Sequence, residues 1–182
     1  MTDGRTALGP EDWAEAALRL LASSGGRAPG VEPLAARLGV TKGSFYWHFR
    51  DRRALLEAMV ALWEERATRA IVREVESGGG GAEQRLERLL ARVAPARPNR
   101  LESAMRAFAQ SHAWAAAAMQ RVDAEREAYL ARLLGEAGLD VDTARVRAAL
   151  LHRALIGEWT LGATRRQPPD AAWRSAVALF TR

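Results

Sequence analysis

Apolar residues recur along this chain at helical spacing, with polar residues filling the positions between them. Trp13, Ala17, Leu20 and Leu21 stand at i, i+4, i+7 and i+8 and predict a first helix with one apolar stripe. Pro10, Glu11 and Asp12 suit its first turn, and Ser23-Ser24-Gly25-Gly26 ends it. A short second helix is expected from about Glu32 to Leu38, with Pro33 tolerated in its first turn and Gly39 as the left-handed residue just past its end. Thr41 is placed to cap a third, very short helix through about Phe49. Asp51 is placed to cap a fourth that runs to about Glu76, with Leu55, Leu56, Met59, Leu62 and Trp63 as its buried stripe.

The run Gly78-Gly79-Gly80-Gly81 breaks the pattern, because consecutive glycines disfavour helix, and it reads as a loop between helices. A fifth helix follows from about Ala82 to Val93, stopped by Pro95 and Pro98. Leu101, Met105 and Phe108 begin a sixth, and His112 to Gly135 reads as one long helix. Gly138 and Asp140 break that helix, Asp142 caps the next one from about Thr143 to Thr164, and Pro168-Pro169-Asp170 opens a last one with Trp173, Val177 and Phe180 on one stripe. No stretch alternates with period two for long enough to predict a strand. The expected fold is all-α, with about nine helices.

Composition narrows the chemistry. The 182 residues suit one large or two small domains. A hydrophobic share of 48% and a charged share of 27% argue for a packed core under a solvated surface. The chain has no cysteine, which excludes disulfides, thiol nucleophiles and cysteine-ligated metals. Its three histidines, His48, His112 and His152, have no metal-site spacing, so no metal and no cofactor is expected. No apolar run approaches a bilayer span and the N-terminus lacks the apolar segment of a signal peptide, so a cytoplasmic protein without membrane contact is expected. The four glycines are not followed by the Lys-Ser/Thr of a phosphate-binding loop, and nothing else suggests an enzyme. The net charge of +5 is compatible with a polyanionic partner. Of the 27 basic residues all but Lys42 are arginine.

The informative segment is Leu34 to Phe49. Leu34 and Leu38, then Phe45 and Phe49, are each four apart, so two short helices pack on one another around the Gly39-Val40 turn. This is a helix-turn-helix. Its third helix has Thr41, Lys42, Ser44, Tyr46, Trp47 and His48 left over for the other face. A polar face with exposed aromatics suits the major groove of double-stranded DNA. Arg50, Arg52 and Arg53 add positive charge at the start of the next helix. Arginines there oppose the helix dipole, and phosphate neutralisation would compensate.

The string Leu38-Gly39-Val40-Thr41-Lys42-Gly43-Ser44-Phe45-Tyr46-Trp47-His48-Phe49, followed by Arg50-Asp51-Arg52-Arg53-Ala54-Leu55-Leu56, resembles the tetracycline-repressor (TetR) family of bacterial transcription regulators. The resemblance implies an N-terminal DNA-binding domain, set at residues 1–53, on a helical ligand-binding and dimerisation domain at 54–182. It places Thr41, Lys42, Ser44, Tyr46, Trp47 and His48 on the DNA-facing helix, and Arg52 where the family usually has a phosphate-contacting lysine. The chain departs from the family at Val31, Glu32 and Pro33, where Thr and Arg are common. Glu32 would repel phosphate unless it accepts from a cytosine amino group.

The resemblance also implies a pocket for a small-molecule effector, and the large residues Trp63, Met105, Phe108, Trp114, Met119, His152, Leu155 and Trp159 are its candidate lining; each can equally be plain core. Arg106, His112 and Glu158 also lie beside apolar stripes, where a polar group must be paired or exposed. The last two helices are the expected homodimer face, through Leu150, Leu151, Ala154, Leu155, Gly157, Glu158, Leu161 and Gly162 and then Trp173, Val177 and Phe180. The function expected is a ligand-responsive repressor of a palindromic operator. The alternative is a helical protein-interaction module without specific DNA binding.

Overall fold

The computed structural model describes residues 8–93, 99–161 and 170–182. The described residues form helices α1 (Pro10–Ser23), α2 (Val31–Leu38), α3 (Lys42–Tyr46), α4 (Arg52–Glu64), α5 (Ala70–Ser77), α6 (Ala82–Val93), α7 (Arg100–Gln110), α8 (Ala113–Glu136), α9 (Val141–Leu161) and α10 (Asp170–Thr181), with no strand among them. Helices α4 and α5 are one continuous rod joined by a π-helical turn, Glu65–Arg69. Counted that way, nine helices are described. None is long and apolar enough to cross a membrane.

Local chemistry sets most of the boundaries. Thr41 Oγ1 accepts from the Ser44 N–H at 3.4 Å, and Asp51 Oδ1 accepts from the Ala54 N–H at 2.8 Å, so α3 and α4 are capped as expected. Gly39 closes α2 at φ 69°. The cap of α9 is Asp140 rather than Asp142, since Asp140 Oδ1 accepts from the N–H groups of both Asp142 and Thr143. The expected stops at Pro95 and Pro98, the continuation of α9 to Gly162 and Thr164, the Pro168-Pro169 opening and the Trp173 side chain lie outside the described residues.

Two cores share the long helix α8. The first gathers Trp13, Leu21, Leu34, Phe45, Leu55, Met59 and Trp63 with Met105 and Phe108 of α7 and Ala115, Met119 and Val122 of α8. The second gathers Val75, Leu86 and Leu90 with Tyr129, Leu133 and Leu134 of α8 and Leu151, Leu155 and Trp159 of α9. Between them lies a seam of polar side chains: Thr68 in the π turn, Glu102 on α7, Asp123, Arg126 and Glu127 on α8, and His152 on α9.

Candidate functional site

Two places carry chemistry. The first is the surface of α2 and α3. Leu34 and Phe45 are fully buried, and the Phe45 ring stands edge-on to Trp13 at 5.5 Å and stacks on Phe49 at 5.5 Å. With this stripe anchored, the opposite face of α3 turns outward. Tyr46 is 59% exposed and Trp47 88% exposed, Thr41 and Lys42 are exposed, and Ser44 and His48 are half-buried. All six expected residues are thus on one short segment, and Tyr46 and Trp47 stay out of the core.

Charge on this face differs from the sequence expectation in two ways. Lys42 Nζ lies 2.6 Å from Glu32 Oε1, which ties the start of α3 to the first turn of α2. The ammonium holds the Glu32 carboxyl below its ordinary range, and the carboxylate raises Lys42 in turn. Arg52 turns inward: its Nε donates to the Pro29 carbonyl at 2.8 Å and Nη2 to the Ala28 carbonyl at 2.9 Å. Its guanidinium therefore fastens the loop that leads into α2. Arg53 pairs with Glu57 at 2.7 Å and lies 4.4 Å above the Trp114 ring. Arg50 is exposed, 3.4 Å from Asp51.

The second place is a cavity of about 420 Å³ at the seam between the cores. That volume falls in the range of small-molecule sites. Of the candidate lining, Trp63, His152, Leu155 and Trp159 border it. Met105, Phe108, Trp114 and Met119 do not. Met105, Phe108 and Met119 fill the first core, and Trp114 packs against its edge under Arg53. Periodicity marks all eight as inward-facing, but it cannot separate residues that fill a core from those that border a hole in one. Tyr129, another large residue of the apolar stripes, is on the wall as well, and the sequence reading missed Leu18, Ala67, Thr68, Ile71, Val72, Leu89, Glu102, Arg126 and Leu130 there.

The polar wall is built around Glu102, which is 1% exposed. Arg126 grips its carboxylate through both terminal nitrogens, at 2.9 and 3.2 Å, and Arg106 adds a third contact at 2.8 Å. Arg126 also donates to Thr68 Oγ1 at 3.1 Å and to the Ala67 carbonyl at 3.2 Å. Both acceptors belong to the π turn, where the widened backbone departs from the regular ladder. The rings of Trp63 and Trp159 lie 5.4 and 5.5 Å from the same guanidinium. Arg106 pairs in addition with Asp123 at 2.7 Å. His152, 2% exposed, has Nδ1 3.2 Å from Glu127 Oε1 and Nε2 3.5 Å from Asp123 Oδ1. Burial disfavours its imidazolium and lowers its pKa, against the pull of the two carboxylates. His112 stacks on Phe108 at 4.3 Å, with Nδ1 3.0 Å from that residue's carbonyl, and joins α7 to α8.

The expected dimer face is also revised. Leu151 and Leu155 belong to the second core, and Val177 and Phe180 pack against it. Among the described residues, the large apolar side chains left outside are Val141, Val146 and Leu150 on α9 and Leu179 on α10, each more than half exposed. Arg147 links the two helices by donating to the Phe180 carbonyl at 3.0 Å.

Comparison with known proteins agrees with this geometry. Residues 14–59 match the family model described as bacterial regulatory proteins, tetR family. Over 69 residues the chain is 42% identical to the class A tetracycline repressor protein from transposon 1721 of Escherichia coli, a stretch covering 37% of this chain and 32% of that repressor. The whole fold superposes on a Rhodococcus sp. protein assigned to the TetR-family transcriptional regulators, with TM-score 0.69 and 26% identity over 95% of this chain and 98% of that one. It also superposes on a Pseudomonas aeruginosa PAO1 protein assigned as a transcriptional regulator, with TM-score 0.76 and 21% identity over 96% and 90% of the two chains. The buried Phe45/Phe49 stripe and the exposed Tyr46-Trp47 face lie inside the segment that matches the tetR family of bacterial regulatory proteins, and the helical body around it has the fold of the two regulators above.

Proposed function

We propose that this chain is a homodimeric repressor that binds a palindromic DNA operator through α3 and releases it when a small, largely apolar molecule enters the cavity. In this reading residues 1–53 carry the DNA contact, residues 54–182 carry the effector and the partner subunit, and the protein works in the cytoplasm. The observation that carries it is Trp47, a large aromatic 88% exposed beside Tyr46 on a helix whose other face is anchored. A monomeric globular protein has little reason to hold such side chains in water, and a major groove supplies apolar and hydrogen-bonding partners for both.

A dimer follows from reach. One short helix contacts few base pairs, and two heads one DNA turn apart read a palindrome. The exposed Val146 and Leu150 of α9 and Leu179 of α10 supply an apolar surface for the partner copy. Response to an effector is supported by the position of α7. Glu102 of this helix sits in the cavity wall, and the same helix abuts the loop before α2: a Cβ on Gly26 would stand 2.7 Å from the Ala104 carbonyl. A ligand that shifts α7 therefore presses on the segment that positions α2 and α3.

The test is DNA binding by the full chain. Sites selected from a random duplex library should share an inverted repeat, and Trp47→Ala should lose that preference while remaining a folded dimer. Equal binding to all sequences at every salt concentration would favour a helical interaction module instead.

A further inference from the structure

The Glu32–Lys42 pair is unexplained by stability. Both side chains are more than half exposed, 71% and 54%, and exposed ion pairs contribute little to folding. A carboxylate beside a DNA-reading lysine also weakens phosphate attraction. The pair does, however, leave bonding capacity on both sides. An ammonium has three donors and one is used here; a carboxylate has about four acceptor sites. The turn at Gly39 sets the first residue of α3 against the first turn of α2, so a donor and an acceptor stand side by side, 2.6 Å apart, on the exposed surface next to Tyr46 and Trp47.

A base pair offers the complementary arrangement. In the major groove guanine presents acceptors at N7 and O6, and its partner cytosine presents the N4 amino donor. O6 and N4 are themselves joined by a hydrogen bond, which sets them about 2.9 Å apart. We propose that Lys42 and Glu32 read one G·C pair per half-site as a unit, Lys42 donating to guanine O6 and N7 and Glu32 accepting from cytosine N4. The inference rests on the proposed operator binding through α3 and adds a base-level preference to it.

The other three pairs are graded by the same chemistry. T·A keeps the central order, acceptor O4 facing Lys42 and donor N6 facing Glu32, but puts a methyl where guanine has N7 and an N7 acceptor beyond N6 on the carboxylate side. A·T and C·G reverse the central order, so that O4 or O6 faces the carboxylate and an amino group faces the ammonium. The expected ranking at this position is G·C, then T·A, with A·T and C·G last.

The experiment takes the full-length protein and the palindrome selected from a random duplex library, replaces each position symmetrically with all four base pairs, and measures affinity for wild type, Glu32→Gln and Lys42→Met. One position should show the stated order, with a loss of roughly 5- to 150-fold on going from G·C to C·G. At that same position Glu32→Gln should narrow the gap, because an amide can donate to O6 as well as accept from N4, and Lys42→Met should remove the advantage of G·C over T·A. Circular dichroism and dimer mass of both variants should match wild type, as both sites are exposed. If Glu32→Gln raises affinity for every sequence alike, or the two variants alter different positions, the paired readout is wrong while operator binding stands. If wild type prefers no sequence, both proposals fall.

Discussion

Arg126 holds Glu102 through both terminal nitrogens, at 2.9 and 3.2 Å, in the seam where the two cores meet. Glu102 is the shared counter-charge of Arg126 and Arg106 and is almost fully buried. Removing its charge leaves the little-exposed Arg126 without its two-pronged counter-ion, while Asp123 still holds Arg106. Breaking a buried pair from one side typically costs about 3–5 kcal/mol. Glu102→Gln should therefore lower unfolding free energy by an amount near that range in urea titration. A loss below about 1 kcal/mol would mean that water reaches these charges freely.

Arg52 gives a prediction that separates two roles. As the clasp on the Ala28 and Pro29 carbonyls, it should cost about 1–3 kcal/mol when changed to alanine, since two buried or half-buried acceptors lose a charged donor. Arg52→Lys should not restore this, because an ammonium cannot bridge two carbonyls in the guanidinium geometry. Unchanged stability with a shallower salt dependence of DNA binding would instead mark Arg52 as a phosphate contact.

Gly26 has φ +100°, and an added Cβ would meet the Ala104 carbonyl and the Ala107 Cβ at 2.7 Å. Both the backbone conformation and the space exclude a side chain there. Gly26→Ala should destabilise by about 2 kcal/mol or more, read from thermal or urea unfolding, with the head displaced from α7. A neutral result would place the α1–α2 loop away from α7 in solution.

Much of this fold was legible from spacing. Phe45 and Phe49, four apart, announced the buried side of α3 and so the outward face of Tyr46 and Trp47. Thr41, Asp51 and Gly39 announced caps and a turn through their own local chemistry. What stayed hidden was pairing across elements. Nothing in the order of residues says that Glu32 meets Lys42, or that Arg52 turns back to Ala28. The π turn was hidden too, because the apolar spacing from Leu55 to Val75 fits one regular helix. The cavity was half legible. Trp63, His152, Leu155 and Trp159 were marked, but Met105, Phe108, Trp114 and Met119 carry the same apolar signal and pack solid. A better signal was the polar residue set inside an apolar stripe: Glu102 with Arg106, and Asp123, Arg126 and Glu127 in the middle of α8, all in the seam.

Acid should destabilise the protein in two stages. Burial, the largest influence, pushes His152 below its ordinary 6.5, so the folded state resists a proton that the unfolded chain accepts. Its contribution is complete above pH 6.5 and is lost as pH falls below that value. Glu76, which accepts from the Tyr129 hydroxyl, Arg132 and Arg85, is held down to about 2 from an ordinary 4.5. Its contribution is present above pH 4.5 and is lost as pH falls toward 2. Unfolding free energy plotted against pH should therefore be flat between about 7 and 9 and decline from about 6.5 downward, with a second decline below about 4.5. His152→Gln should flatten the first decline and keep the second. A first decline unchanged in that variant would assign it to another group.

The most direct measurement is the affinity of the full-length chain for a selected palindrome against a scrambled duplex of equal length, at physiological salt, for wild type and Trp47→Ala. Trp47 is almost wholly exposed, so its loss should leave unfolding free energy within about 0.5 kcal/mol. Wild type should prefer the palindrome by roughly a thousandfold or more, and the variant should lose at least about tenfold of that preference. Equal affinity of wild type for both duplexes, or an unchanged preference in a folded Trp47→Ala variant, would contradict operator reading by α3.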